Sequence, residues 1–184
     1  MPKVKVSQKT LDYVNDMILE NRKKGVQKFC LFLDFDGVIN VFLDPDDPAT
    51  EDRLKKMAAR FDFADRKCVA RLNQLLHDYP IDAVISSSWR YEGLQPCIDY
   101  LKNAGLKETD KVVGVTEIDL NKTRQEVICD YLLKHPYYSG FLVFDDIPMP
   151  EFPDEWVETY PFQGYDSERD VYARNLLQKA MDKI

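Results

Sequence analysis

The chain reads as an α/β protein: a three-layer αβα, Rossmann-like fold with a mainly parallel central sheet. Short apolar runs at residues 28–33, 81–85, 112–115 and 141–144 alternate with segments whose apolar residues recur at helical spacing, and such alternation builds an open sheet with helices on both faces. The run from Phe29 to Leu33 is apolar throughout, the profile of a central strand covered on both sides. Polar residues follow these runs at Asp34, Ser86 and Asp145, and ligands in open α/β sheets bind at the carboxyl ends of the strands.

The elements follow in order. Residues 7–24 carry Leu11, Val14, Met17 and Ile18 at helical spacing, with Ser7 or Thr10 as N-cap and Gly25 as the stop. Residues 1–27 are therefore expected to form an N-terminal helical segment, and 28–184 the main domain. The Pro- and Asp-rich stretch 40–50 (NVFLDPDDPAT) predicts a loop, and 65–78, with Val69, Leu72, Leu75 and Leu76, a crossover helix. A second helix is expected over 92–104, stopped by Gly105, and a third over 121–134 with Val127, Ile128, Tyr131 and Leu132 turned inward. A short strand near 156–159 and a helix over 167–182 complete the alternation.

Composition narrows the function. One domain is expected from 184 residues with 45% apolar and 31% charged side chains. The net charge of −7 argues against a broad electrostatic grip on nucleic acid, which needs clustered Lys and Arg, while leaving room for a local basic patch. Cys30, Cys68, Cys97 and Cys129 form no CxxC pair, and the two histidines are His77 and His135; buried, reduced thiols fit this better than zinc. No run approaches a membrane span, and the start, MPKVKVSQKT, lacks the apolar stretch of a secretion signal. A soluble, cytoplasmic protein is expected.

The chemistry is carried by the residues after the strands. Asp34, Asp36, Asp145 and Asp146 converge on one edge, where they would raise one another's pKa values unless a divalent cation compensates them. Hard oxygen ligands select Mg²⁺. Asp-x-Asp-Gly after a buried strand suits phosphoryl chemistry: the first carboxylate can attack phosphorus while the second reaches the leaving oxygen. The competing reading is a set of loop acids capping a strand end.

FLDFDGVIN resembles the first motif of the haloacid dehalogenase-like hydrolases, and three further motifs follow in order. ISSSWR resembles the second, a hydroxyl after a strand; Ser86 or Ser87 can take that role, with Ser87 preferred. NKTRQEVI supplies Lys122 and Arg124 for the third, a cation facing the phosphoryl group, and resemblance to small hydrolases with Arg at the helix start favours Arg124. VFDDI resembles the fourth, which implies Asp145 as a direct Mg²⁺ ligand and Asp146 as a second or water-mediated one. The resemblance implies a metal shell of Asp34, the backbone carbonyl of Asp36, Asp145 and Asp146. It also implies a phosphomonoester hydrolase with Asp34 as nucleophile and Asp36 as acid and base.

No large cap domain fits between these motifs: residues 41–64 and 89–121 leave too little chain. The uncapped arrangement and SSSWR resemble the phosphatase domains of nucleic-acid end-repair proteins, so the expected substrate carries its phosphate on a large molecule such as a polynucleotide end. Trp89 and Arg90 can then stack on a base and hold a phosphate, or Trp89 can serve packing alone. Phe61, Phe63 and Tyr91 can form an apolar lip. A small-molecule phosphatase for nucleotides or sugar phosphates, and a binding module with weak catalysis, are the alternatives.

Overall fold

Five parallel strands in the order β3-β2-β1-β4-β5 form the sheet among the described residues of the computed structural model, which are 6–60 and 63–184. They are β1 (Phe29–Leu33), β2 (Ile81–Ile85), β3 (Val112–Val115), β4 (Gly140–Asp145) and β5 (Trp156–Glu158). β1 lies at the centre, and every residue of β1 and β4 is buried, which is why their sequences show no polar alternation.

The helices are α1 (Gln8–Lys23), α2 (Thr50–Arg60), α3 (Arg66–Asp78), α4 (Leu94–Asn103), α5 (Arg124–Lys134) and α6 (Ser167–Met181). On one face of the sheet, Leu31 and Leu33 of β1 join a core with Leu72 and Leu76 of α3, Leu101 of α4 and Leu177 of α6. On the other, Cys30 and Phe32 meet Val14 and Ile18 of α1 and Ile128 and Leu132 of α5. The period of two along β1 thus assigns alternate side chains to the two helical layers. Asp34 continues the even-numbered series, toward α5.

α1 is capped by Ser7, whose hydroxyl accepts from the Thr10 amide, and it is more than an appendage. The Asn21 side chain donates to the Pro136 and Tyr138 carbonyls, and Arg22 Nε donates to the Ser139 carbonyl at 2.8 Å. These bonds fix α1 against the segment that enters β4.

Two elements differ from expectation. The helix expected over 92–104 is α4, which starts only at Leu94, because a 3-10 turn over Ser88–Glu92 precedes it and Gly93 between them has φ 94°. A left-handed residue cannot continue a right-handed helix. α2 lies within a stretch given no element from the sequence; its segment, TEDRLKKMAAR, offers a narrow apolar stripe of Leu54 and Met57, too little periodicity to register. Among the described residues, α2 is the one helix between β1 and α3, so no large cap covers the strand ends. No described helix is long and apolar enough to cross a membrane.

Candidate active site

The strand register places the polar residues in one row. Leu33 pairs with Ile85 of β2 and with Phe144 of β4, so the next residues along, Asp34, Ser86 and Asp145, stand side by side. The backbone ladder runs one step further to hold them: Asp34 N–H donates to the Phe144 carbonyl and Ser86 N–H to the Leu33 carbonyl, both at 3.0 Å. Parallel strands in register turn paired side chains to the same face. Asp34, Ser86 and Asp145 therefore share the face that α5 covers.

α5 begins at the same edge. Thr123 caps it through a reciprocal capping box with Glu126, which fixes the first turn and the residue that follows the cap, Arg124. Its Nη1 donates to Asp34 Oδ2 and to Asp145 Oδ2, each at 2.5 Å. The three side chains are 18%, 6% and 0% exposed respectively. Burial works against the Arg124 charge, but the two carboxylates outweigh it and raise its pKa. A cation at a helix N-terminus is mildly unfavourable by itself; the two aspartates supply the reason for this one.

The acids feel the same forces with opposite sign. Burial raises the Asp145 pKa, Arg124 opposes that rise, and the charge of Asp34 adds to it. Asp146 is also raised, first by burial and then by Asp34. Asp34, Asp145 and Asp146 each offer a carboxylate oxygen, all within 4.8 Å of one another, a hard-donor cluster of the kind that suits a small divalent cation. The remaining oxygens of the strand-end acids are held in place: Asp34 Oδ1 accepts from the Phe35 amide at 2.7 Å and Asp145 Oδ1 from the Ile147 amide at 2.9 Å.

Gly37 brings the fourth acid close. At φ 75° its backbone is left-handed, and a Cβ there would overlap the Asp146 carboxyl. The absence of a side chain at Gly37 is thus what lets the loop after β4 approach the loop after β1.

Asp36 faces another way, and its carboxylate has two donors. Asn40 Nδ2 donates to Oδ1 at 2.9 Å and Trp89 Nε1 to Oδ2 at 3.0 Å. Asn40 is itself oriented by the Tyr100 hydroxyl, which donates to its Oδ1 at 2.6 Å. Trp89 packs at 5.7 Å from the Phe35 ring and 4.6 Å from the Tyr100 ring. It is half-buried packing with its indole N–H spent on the acid. Asn40 and Tyr100 were not among the residues singled out from the sequence; Asn40 lies one turn beyond Asp36 within FLDFDGVIN, whereas Tyr100 has no local signal.

The alternatives at the second and third motifs separate spatially. Ser86 Oγ is buried without a hydrogen-bond partner among the described residues, whereas Ser87 Oγ caps the 3-10 turn by accepting from the Trp89 amide. Arg90 Nη1 donates to the Ser86 and Ser87 carbonyls at 3.0 and 2.8 Å and so staples that turn. Lys122 pairs with Asp130 at 2.7 Å and Asp119 at 3.8 Å, outside the row that Arg124 enters. Of the apolar lip, Phe63 and Tyr91 are exposed and Phe61 lies outside the described residues.

Gly37→Ala should destabilise the protein by about 2 kcal/mol or more, from left-handed strain together with the displaced Asp146. Urea unfolding would measure it, and wild-type stability would show that the loop accommodates a side chain.

A family model described as the HAD domain in Swiss Army Knife RNA repair proteins matches residues 30–169, a span that includes β2 to β5, all of β1 after Phe29 and all of the clustered acids. No curated protein and no solved structure gives a significant match. With an all-parallel sheet whose strand ends gather Asp34, Ser86 and Asp145 against Arg124, and with this match over most of its length, the chain belongs to the HAD domain family of Swiss Army Knife RNA repair proteins.

Proposed function

We propose that the protein is a Mg²⁺-dependent phosphomonoester hydrolase working through an aspartyl-phosphate on Asp34. The observation that carries this reading is the shared row of Asp34, Ser86 and Asp145 with Arg124 bridging the two acids. Asp34, Asp145 and Asp146, with the Asp36 carbonyl, would hold the cation, and their hard oxygen donors fit it. When bound, Mg²⁺ supplies charge neutralisation for the phosphoryl oxygens and for the crowded carboxylates.

The residues then divide the work. An Asp34 carboxylate oxygen attacks phosphorus in line, the bond from phosphorus to the ester oxygen breaks, and Asp36 delivers its proton to that leaving oxygen. A water molecule next gives a proton back to Asp36 and attacks the phosphorus of the acyl phosphate, releasing inorganic phosphate and restoring Asp34. The Ser86 hydroxyl, in register with the nucleophile and without another partner among the described residues, donates to a phosphoryl oxygen. Arg124 exchanges its carboxylate partners for phosphoryl oxygens, a fit its planar fork makes good. Trp89 and Asn40 aim the acid.

The substrate is a phosphate at the end of a polynucleotide. Three features support this: among the described residues a single helix between β1 and α3 leaves the site open, Arg90, Lys122 and Arg124 line a groove of about 620 Å³ beside it, and the family description names RNA repair proteins. The protein works inside the cell, in the cytoplasm.

Asp34→Asn should abolish phosphate release from p-nitrophenyl phosphate with Mg²⁺ while circular dichroism stays unchanged; turnover at the wild-type rate would remove Asp34 as nucleophile. Trp89→Phe keeps the ring and loses the donor to Asp36, so kcat should fall by about tenfold on an alkyl phosphate, whose poor leaving group needs the proton, and by less on p-nitrophenyl phosphate. Equal losses on both would reduce Trp89 to packing. A phosphate-ended oligonucleotide should be hydrolysed with a higher kcat/KM than the matching mononucleotide, and the reverse order would make this a small-molecule phosphatase.

A further inference from the structure

An apolar pocket of about 430 Å³ opens directly beside Asp36. Asp36, Asn40 and Trp89 form its polar end, and Phe42, Leu54 and Phe63 stand along the rest. These three apolar side chains are 50%, 52% and 63% exposed, although each lies next to the others in a single concavity. Isolated exposed apolar residues are ordinary, but a contiguous set rimming a cleft marks a binding surface.

The position of the pocket decides what it binds. In-line attack by Asp34 puts the leaving oxygen on the far side of phosphorus, next to the acid that protonates it. That acid is Asp36, and Asp36 is part of the pocket wall. Whatever the ester oxygen is attached to must therefore continue into this concavity. Among the described residues its walls are aromatic and aliphatic and carry no cation, whereas the groove on the α5 side carries Arg90, Lys122 and Arg124. Anionic parts of a substrate are drawn to the second and a flat uncharged ring to the first.

The pocket is also mechanically joined to the acid. The Phe63 amide donates to the Tyr100 hydroxyl at 3.2 Å, that hydroxyl donates to Asn40, and Asn40 donates to Asp36. A ring pressed against Phe63 thus bears on the same chain of hydrogen bonds that orients the proton donor.

We propose that this pocket receives an aromatic ring carried by the leaving group of the substrate, such as the base of a terminal nucleoside, with Phe42 and Phe63 as its walls. The proposal rests on the phosphatase reading, and the test separates the two. Benzylphosphonate and ethylphosphonate share a phosphonate head that cannot be hydrolysed and differ in the ring; each is titrated calorimetrically into the full chain with Mg²⁺. Benzylphosphonate should bind at least tenfold more tightly, and in the double variant Phe42→Ala/Phe63→Ala the ratio should fall toward one, with folding checked by circular dichroism. A single variant, Leu54→Ala, should lower the ratio less and guards against misfolding of the double one. Equal affinities in the wild type, or a ratio unmoved by the substitutions, would overturn the pocket assignment while leaving the phosphate site standing. Binding of neither compound would overturn the phosphatase reading and the pocket with it. Concentration-dependent dimerisation that the same variants abolish, with equal phosphonate affinities, would give the surface to a second copy of the chain instead.

Discussion

Burying two carboxylates at adjacent strand ends is the constraint around which the rest of the molecule is arranged. Asp34 and Asp145 are almost without solvent, and removing the positive partner from a buried pair of this kind costs about 3–5 kcal/mol. Arg124 supplies that partner from α5, which requires α5 to begin at the carboxyl edge of the sheet and to be capped there. The capping box of Thr123 and Glu126, the packing of Ile128 and Leu132 onto the sheet and the bracing of α1 against the entry to β4 all serve that placement. Local capping, core packing and site electrostatics converge on one guanidinium.

In the proposed mechanism the site has two halves held by different means. The phosphoryl half is set by backbone register, since a strand ladder fixes Asp34, Ser86 and Asp145 relative to one another with no help from their side chains. The acid half is set by side chains: Trp89 arrives from the turn after β2 and Asn40 from the loop after β1, with Tyr100 of α4 behind it. A sheet tolerates little relative motion of its strands, whereas a side-chain network can be retuned one residue at a time. In that mechanism, charge placement at phosphorus is the rigid part of the geometry and proton placement the adjustable one.

That division also explains what could be read from the chain. Buried runs ending in acids announced β1 and β4 and their aspartates, because burial on both faces removes every polar residue from the strand and leaves the first one conspicuous. The sequence leaves Ser86 and Ser87 open and leans to Ser87, whereas the strand register sets Ser86 beside Asp34 across the sheet, a non-local fact. Resemblance favours Arg124 over Lys122, and the cap that Thr123 forms between them separates the two, leaving Lys122 outside to pair with Asp130. Trp89 announced itself as an aromatic beside the site, but its bond to Asp36 spans separate loops. Gly93 sets the start of α4 for a reason of backbone handedness rather than hydrophobic pattern.

The indole of Trp89 reaches an acid that lies 53 positions earlier in the chain. In the mechanism proposed above, loss of that tether would leave Asp34 and Arg124 in place while unsettling the group that delivers the proton to the leaving oxygen. In that mechanism the cost would grow with the leaving group's need for a proton, so one ring nitrogen would set how poor a leaving group the site can release.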